Sequence, residues 1–404
     1  MRDHLKRQPP NGNFSVWDVD PYDTSLLAAP RQYYRELRER GPLVWLSRYG
    51  IWASGRYKPV KEIFGDWKRF CSSRGVGLTD FKTEEPWRPP SIILEVDPPD
   101  HDRTRSVMAK AMSAQAISAL RERFQAEADA LVEQFVGKGP FDAVAHLSQA
   151  YPLKVFPDAV GLDEQGRENL LQYATMVFNA LGPDNALRRN AMADAPRVVA
   201  WIADKCRREA LSDTGFGATI YAAADNGEIT QEEAALLVRS LLSAGIDTTV
   251  SALGNAILCL ARHPRQWEKL KETPARVRQA FEEVLRYTTP VHSFCRTANV
   301  DTEVAGIPIR EGDKVLCVLG AANLDPDHWN QPDEFDIERP TAGHLALGVG
   351  IHSCVGQQVA RLEGRSLLGA LARKVERIEL RGKPEWSPGN SLTTLASLPV
   401  SLIG

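Results

Sequence analysis

The segment from 231 to 262 is apolar around most of its circumference when it is drawn as a helix. Thr230 and Glu233 stand at the spacing of a capping box, and His263 followed by Pro264 ends the pattern. A continuous helix of this length would extend roughly 48 Å at ~1.5 Å per residue. Because such a helix has no broad polar face to turn toward water, we predict that it crosses the protein core.

A few polar side chains interrupt this apolar segment. Ser240, Ser243 and Asp247 recur at spacings of three and four residues, so they share one face of the predicted helix. Gly245 would leave room for a ligand beside that face. An aspartate followed by a threonine, as in Asp247-Thr248, can pass protons and hold a water molecule. The alternative is a kinked helix whose Ser and Thr hydroxyls bond to its own carbonyls.

Cys354 ends a glycine-rich loop at 347–356, and an apolar-patterned helix is predicted from Gln357 to about position 375. A thiolate just before a helix start is favoured by unpaired backbone N–H groups and by the positive end of the helix dipole. Gly348 and Gly350 would let the backbone approach a flat partner, because a Cβ atom would block it. A lone thiolate so placed is the axial ligand that a haem iron needs for O–O bond cleavage.

These segments, with the continuation of the cysteine loop at 360–363, resemble the bacterial cytochrome P450 monooxygenases. One departure is Leu347, where the family usually has Phe. The resemblance implies a mainly α fold with small β-sheets. It also implies a single cytochrome P450 domain over 1–404, with a flexible lead at 1–13.

The resemblance also implies haem b as the cofactor and assigns roles to individual residues. Cys354 would be the axial ligand of the haem iron, Asp247 the proton-delivery carboxylate and Thr248 the hydroxyl of the same relay. Cations and imidazoles at family positions would hold the two haem propionates: His101, Arg105, Arg296 and His352. An E-x-x-R pair and a downstream arginine would form a structural network behind the haem loop: Glu283, Arg286 and Arg339.

The predicted substrate pocket is largely apolar with a polar minority, which suits an anionic and mostly hydrophobic ligand. Its members, taken from family positions and from the core helix, are Arg88, Ser91, Leu94, Phe178, Leu181, Arg239, Ser240, Ser243, Ala244, Val291 and Phe294. Along a continuous helix Ser240 would lie roughly 12 Å from Thr248, so an aromatic acid held at Ser240 would reach the oxygen site with its para substituent. Segments at 71–78, 86–91 and 240–245 resemble the branch that oxidises para-substituted benzoates, including O-demethylation of 4-methoxybenzoate.

Electrons and oxygen must come from outside the chain. The sequence has no flavin or nicotinamide fingerprint, so the resemblance implies O2, a separate ferredoxin and a ferredoxin reductase as partners. Basic residues on the thiolate side were candidates for ferredoxin docking, with a merely solvated helix face as the alternative: Arg103, Lys110, Arg361 and Arg365.

Composition sets further bounds. The net charge of −3 gives no general attraction to nucleic acid. The start of the chain lacks an apolar signal core and no run of eighteen apolar residues occurs, so we expect a cytoplasmic protein without a membrane span. Six widely spaced cysteines include no C-x-x-C pair, and those other than Cys354 are expected to be buried free thiols.

The sequence therefore indicates a haem monooxygenase that uses two ferredoxin electrons to oxidise a para-substituted benzoate. A P450 that hydroxylates another small hydrophobic substrate, such as a terpenoid or a fatty acid, is the alternative. A peroxide-driven haem-thiolate enzyme and a non-enzymatic haem sensor are further alternatives. Asp247-Thr248 argues against the first of these, and the polar pocket residues argue against the second.

Overall fold

The computed structural model describes residues 8–9 and 12–404 of the chain. The lead predicted at 1–13 falls mostly outside these residues. Within them, helices are the predominant regular structure, with 49% of the residues, and the strands form small sheets, so the predicted fold class is confirmed. A π-helical turn at Val144–Gln149 leads directly into one of the helices.

The α-helices are α1 (Thr24–Ala28), α2 (Arg31–Glu39), α3 (Tyr57–Gly65), α4 (Asp100–Ala111), α5 (Ala114–Ala119), α6 (Arg121–Glu133), α7 (Ala150–Val160), α8 (Asn169–Ala180), α9 (Ala186–Ala191), α10 (Ala195–Lys205), α11 (Phe216–Asp225), α12 (Gln231–Ala244), α13 (Asp247–Arg262), α14 (Pro264–Glu272), α15 (Val277–Thr288), α16 (Leu319–Ala322) and α17 (Gln357–Lys374). The strands are β1 (Ser15–Trp17), β2 (Val44–Leu46), β3 (Ile51–Ser54), β4 (Phe70–Cys71), β5 (Phe141–Asp142), β6 (Ser293–Ala298), β7 (Thr302–Val304), β8 (Ile307–Ile309), β9 (Lys314–Val318), β10 (Arg377–Leu380), β11 (Glu385–Ser387), β12 (Thr394–Ser397) and β13 (Pro399–Ile403).

The largest sheet among the described residues has the strand order β1-β2-β3-β9-β6-β4. Strands β3 and β9 pair in parallel with Trp52 opposite Val315, and every residue of both strands is buried. Both strands are short, mostly apolar runs in the sequence, the pattern typical of strands buried on both faces. Strand β6 was not predicted, because its sequence Ser-Phe-Cys-Arg-Thr-Ala shows no apolar alternation.

The core helix is not continuous, contrary to the prediction. It begins at the capping box of Thr230 and Glu233, where both reciprocal hydrogen bonds are present, and it breaks between α12 and α13. At the break Ile246 has φ −103° and ψ −69°. The Thr248 hydroxyl donates to the carbonyl of Ala244 at 2.9 Å and so occupies an acceptor at the end of α12.

Because of this break, the distance from Ser240 to Thr248 cannot be calculated from helical rise. A rise of ~1.5 Å per residue applies within α12, but not across positions 245 and 246 to Thr248. The distance from Ser240 to the proton-handling pair is therefore set by the angle between two helices and not by helical rise alone.

The segment at 231–262 is long and apolar enough to span a membrane, with a mean hydropathy of 1.4 in its most apolar window. However, 78% of that window is buried inside the protein. Residues of both α12 and α13 belong to the main hydrophobic cluster, together with residues of α17. The segment is thus the core helix of a folded domain, as predicted from its apolar circumference.

The remaining cysteines are buried free thiols, as predicted. Each is at most 6% exposed: Cys71, Cys206, Cys259, Cys295 and Cys317.

Candidate active site

The cysteine loop is shaped by backbone contacts immediately before α17. The backbone N–H of Cys354 donates to the carbonyl of Leu347 at 2.8 Å, which closes the loop on itself. Burial raises the pKa of the Cys354 thiol, while the Gly356 backbone N–H and the charges of Arg105 and Arg361 favour the thiolate. The helix start thus favours the thiolate as expected, but it does not outweigh the cost of burial.

The two glycines of the loop are required by backbone conformation. Gly348 has φ +68° and Gly350 has φ +76°, in the left-handed region where side chains are strained. A Cβ atom on Gly350 would also lie 3.0 Å from the carbonyl oxygen of Phe64. The expected close approach at Gly350 is therefore to the end of α3, and it does not require a flat partner.

The four side chains predicted to bind propionates are at least partly buried, and several of their nitrogen atoms have no hydrogen-bond partner among the described residues. Among the described residues, His101 Nε2 and both ring nitrogens of His352 have no hydrogen-bond partner. The two rings stand 4.6 Å apart, edge to face. His352 Nε2 is 3.8 Å from Asp97 Oδ1, beyond hydrogen-bond distance. His101 Nδ1 is 3.1 Å from an oxygen of Asp102.

The two arginines of this set have no carboxylate within ion-pair distance among the residues the structure describes. Arg296 is buried in β6, where its guanidinium donates to the Cys295 carbonyl at 2.9 Å and lies 4.2 Å from the Phe64 ring centroid. Burial lowers the pKa of Arg296 and of Arg105. Isolated buried cations cost free energy unless an anion joins them.

Helices α12 and α13 are mostly buried, but two of their residues four positions apart remain accessible. Ala244 is exposed and Thr248 is half-buried, although their neighbours in α12 and α13 are mostly buried. Asp247 is only 6% exposed, and its Oδ2 accepts a hydrogen bond from the Thr175 hydroxyl of α8 at 3.3 Å. Burial raises the pKa of Asp247 to about 7, although the Thr175 hydrogen bond lowers it. A carboxyl with this pKa can both take up and release a proton near neutral pH.

Contrary to the prediction, Gly245 does not open space for a ligand. A Cβ atom at this position would lie 2.3 Å from the ring of Phe156 in α7. The missing side chain therefore admits a packed aromatic ring where the core helix breaks.

The predicted polar pocket residues converge where the loop at 86–95 meets α12. Arg88 Nη1 lies 3.2 Å from Glu95 Oε2, and Arg239 Nη2 donates to the carbonyl of Pro89 at 2.9 Å. The hydroxyls of Ser91 and Ser240 are 3.3 Å apart.

The serines of α12 are bonded back to the helix. The Ser240 hydroxyl donates to Leu236 O at 2.8 Å, and the Ser243 hydroxyl donates to Ser240 O at 3.2 Å. This is the back-bonding alternative considered from the sequence. To donate to a ligand, either hydroxyl would have to turn away from its carbonyl.

The predicted apolar residues lie on several elements. Phe178 is buried in α8, and the carbonyl of Leu181, just beyond this helix, accepts from the Leu78 backbone N–H at 2.8 Å. Val291 forms an isolated bridge to Leu392. Phe294 of β6 packs against the cluster under the large sheet, and Leu94 is half-buried.

The E-x-x-R side chains and the downstream arginine meet in one network. Arg286 forms two hydrogen bonds to Glu283, at 2.7 and 2.8 Å, and Arg339 Nε lies 3.2 Å from the same carboxylate. Arg286 Nη1 also donates to the carbonyls of Asn323 and Pro332. The network thereby ties α15 to the segment at 323–339 that precedes the cysteine loop.

Comparison with known proteins identifies the family. The family model for Cytochrome P450 matches residues 169–399. A relative from Rhodopseudomonas palustris, cytochrome p450 CYP199A2, is 51% identical over 385 residues, which cover 95% of this chain and 93% of the relative. The chain belongs to the cytochrome P450 family. It is therefore an oxidoreductase of the monooxygenase type that uses protoporphyrin IX haem.

Other P450s are similar to this chain in sequence or structure over nearly its whole length. Cytochrome P450 107B1 of Saccharopolyspora erythraea is 30% identical and covers 95% of this chain and 98% of its own. The solved structure of cytochrome P450 CREJ in complex with (4-ethylphenyl) dihydrogen phosphate has a TM-score of 0.84 at 27% identity, covering 99% of this chain and 100% of that one. P450BioI in complex with an acyl carrier protein has a TM-score of 0.83 at 26% identity, covering 94% and 100%.

The residues present fit a P450 haem. Cys354 offers one sulfur, Arg105 and Arg296 have no carboxylate within ion-pair distance among the described residues, and His101 Nε2 and both His352 ring nitrogens lack a hydrogen-bond partner there. Two propionates would supply the missing acceptors. The accessible residues Ala244 and Thr248 would face the ring. When bound, the haem supplies the activation of O2.

Bacterial P450s generally receive electrons from a ferredoxin and its reductase, and the predicted docking of a ferredoxin near four basic residues stays a prediction. Arg103 pairs with Glu233, Lys110 pairs with Glu228 at 2.6 Å, and Arg361 lies 2.5 Å from Glu282. These three cations are neutralised within the chain. Arg365 has no carboxylate partner among the described residues. The four residues thus do not form an unpaired basic patch.

Several residues at the site were missed from the sequence. Thr175 contacts Asp247, and Glu95 binds both Arg88 and the Ser91 backbone N–H, the latter at 2.7 Å. Glu95 follows Ser91 by four residues, which was an available signal for a local contact. Thr175 lies 72 positions from Asp247, and no local pattern announces that contact.

Proposed function

We propose that this P450 oxidises para-substituted benzoates and that its reaction is the O-demethylation of 4-methoxybenzoate-type acids. The supporting observation is a surplus of positive charge beside α12. Arg88 and Arg239 both lie at the loop 86–95, where Glu95 pairs with Arg88 at 3.2 Å while Arg239 bonds to the Pro89 carbonyl. One guanidinium is left for the carboxylate of a ligand.

Arg239 is the better candidate for that role. Its hydrogen bonds go to the carbonyls of Pro89 and Pro90, and no carboxylate lies within ion-pair distance among the described residues. Burial lowers its pKa, and the neighbouring charge of Arg88 acts in the same direction. A bound carboxylate would relieve both effects. The hydroxyls of Ser91 and Ser240, 3.3 Å apart, would offer further hydrogen bonds if the Ser240 hydroxyl turned away from the Leu236 carbonyl.

The resemblance of three short segments favours this substrate class. The segments at 71–78, 86–91 and 240–245 resemble the benzoate-oxidising branch of the family. The relative CYP199A2 shares 51% identity with this chain. The CREJ structure, a relative of the same fold, holds a para-alkylated aromatic anion.

The chain's residues would orient the acid and deliver protons. The carboxylate would bind at Arg239, and the apolar residues, Phe178 among them, would enclose the ring. Asp247 and Thr248 would supply the two protons that the reduction of O2 consumes, with Cys354 as the axial ligand. Oxidation of the methoxy carbon by one oxygen atom gives a hemiacetal, which collapses to the phenol and formaldehyde. The sum is one acid, O2, two electrons and two protons to 4-hydroxybenzoate, formaldehyde and water.

A ligand panel tests the proposal on the purified haem protein. We expect 4-methoxybenzoate to shift the haem spectrum to the high-spin form and 4-methoxybenzamide, its neutral analogue, to leave it unchanged. With a ferredoxin, its reductase and NADH, 4-hydroxybenzoate and formaldehyde should form in proportion to the NADH consumed. If terpenes or fatty acids shift the spectrum and benzoates do not, the substrate proposal is wrong and the alternative holds.

The proposal places this chemistry in the cytoplasm, with a soluble ferredoxin as the electron donor. It relies on the burial of the apolar helix at 231–262 inside the protein. Cell fractionation of the native host, followed by a spectrum of the reduced CO complex in each fraction, tests the location.

A further inference from the structure

Asp247 is contacted by one side chain that the family pattern does not include. Thr175 of α8 donates its hydroxyl proton to Asp247 Oδ2 at 3.3 Å. Asp247 is buried, whereas Thr175 is exposed on an otherwise mostly buried helix. The hydroxyl therefore stands between accessible water and a carboxylate that water does not reach freely.

The Thr175 hydroxyl is the side chain that acts on the pKa of Asp247, against the larger effect of burial. Burial and the Thr175 hydrogen bond are the two causes that shift its pKa, and no charged side chain on α7, α8, α12 or α13 among the described residues contributes. Thr248 and Thr249 bond to the carbonyls of Ala244 and Gly245 and not to the carboxylate. The Asp247 carboxylate is thus held in place from α8.

The C-terminal half of α8 is fixed in turn by a network of asparagines. Asn179, one turn after Thr175, donates to the Thr175 carbonyl at 2.9 Å. Its own Oδ1 accepts from the Asn390 backbone N–H at 3.1 Å, and its carbonyl accepts from Asn390 Nδ2 at 2.8 Å. Asn185, which caps α9, donates to Asn390 Oδ1 at 2.8 Å. This network ties α8 and α9 to the turn at 388–392.

We propose that Thr175 is a positioning residue that holds the Asp247 carboxylate and forms the outer end of its proton path. The inference rests on the proton-delivery role proposed above for Asp247. As the Thr175 hydroxyl proton passes to the Asp247 carboxylate, the hydroxyl oxygen takes a proton from a hydronium ion of the solvent, which becomes water, so the step moves one solvent proton inward and leaves the hydroxyl unchanged. The asparagine network keeps α8 where this transfer can occur.

The test compares Thr175→Val, Thr175→Ala and Thr175→Ser in the full-length haem protein. Thr219→Val is the matched control, because Thr219 is an exposed helical threonine whose hydroxyl bonds only to the Gly215 carbonyl, at 3.1 Å. The first readout is independent of turnover: infrared difference titration of the carboxylic acid band in the ferric protein, assigned as the band that Asp247→Asn removes.

Loss of a donor to the carboxylate should move the titration midpoint of this band upward by roughly one pH unit in the Val and Ala variants. The same two variants should lower product formed per NADH roughly tenfold and raise the solvent deuterium isotope effect on turnover. Thr175→Ser should restore all three readouts, and Thr219→Val should match the wild type.

The outcomes separate this inference from the role of Asp247. If Asp247→Asn impairs coupling while both Thr175 variants titrate and turn over like Thr219→Val, the inference about Thr175 is overturned. If Asp247→Asn itself couples NADH to product as the wild type does, the proton-delivery role fails, and the inference fails with it. Because Thr175 is exposed, its substitution should leave the fold intact, which the haem spectrum of each variant checks.

Discussion

Arg286 and Glu283 form a two-point ion pair in which Nε and Nη2 of the arginine lie 2.7 and 2.8 Å from the two carboxylate oxygens. Both side chains are completely buried. The two residues are one turn apart on α15, and the remaining hydrogen bonds of Arg286 go to the segment that leads to the cysteine loop. Removal of either charge therefore affects a region distant in sequence.

Glu283→Gln should destabilise the protein strongly, because it leaves Arg286 buried and Arg339 without its carboxylate partner. Breaking a buried pair costs ~3–5 kcal/mol of the free energy of unfolding. Urea denaturation measures this loss. The control is Glu228→Gln, which removes the surface pair with Lys110 and should cost less than about 1 kcal/mol. Equal losses in the two variants would contradict the prediction.

Gly245→Ala should destabilise the break between α12 and α13 by ~1–3 kcal/mol, because the new Cβ overlaps the Phe156 ring. Gly254 of α13 provides the control, since a Cβ there meets no side chain nearer than 3.4 Å. Gly254→Ala should be neutral or stabilising through helix propensity. Adding Phe156→Leu to Gly245→Ala should recover part of the lost free energy of unfolding. If the losses of the two single variants simply add up in the double variant, as measured by denaturation, the two residues are not in contact.

Cys354→Ser should abolish the red-displaced absorption of the reduced CO complex, because a hydroxyl cannot replace the thiolate ligand. Cys259→Ala, which removes a buried thiol of α13, should keep this absorption. Spectra of the reduced CO complexes make the measurement. An unchanged spectrum in Cys354→Ser would exclude Cys354 as the axial ligand.

Asp247 should make stability depend on pH. Its pKa is about 7 in the folded protein and near the ordinary 3.8 when unfolded. Between these values the folded state binds a proton that the unfolded state has released, so this contribution to the free energy of unfolding falls as pH rises from about 4 to 7. The limiting slope is ~1.4 kcal/mol per pH unit. Denaturation curves of Asp247→Asn should lack this slope, and curves parallel to the wild type would contradict it.

Arg239→Gln should weaken binding of 4-methoxybenzoate roughly 10- to 100-fold, the effect of losing a charge-assisted hydrogen bond. The spin-state titration of the haem measures the affinity. Arg262→Gln, an exposed arginine at the end of α13, is the control and should bind normally. Should 4-hydroxybenzoate and 4-ethylbenzoate keep wild-type affinity in Arg239→Gln, the carboxylate must bind elsewhere.

Sequence reasoning succeeded where the signal was local. The capping box at Thr230, the buried strands β3 and β9 and the pairing spacing of Glu283 with Arg286 all follow from residues within a few positions of one another. It failed at β6, whose polar residues acquire a strand conformation only between two neighbours in the sheet.

The amino-acid sequence by itself determined the family, the single thiol available to the iron and the acid–alcohol pair of the core helix, because these depend on residue type and short spacing. Only the tertiary structure decided that the core helix breaks, since Phe156 from another helix fills the place beside Gly245. It alone paired Arg88 with Glu95 and brought Thr175 to Asp247. The protonation state of each titratable side chain at the site depends on burial and on contacts between distant segments. Neither can be read from a short stretch of the chain.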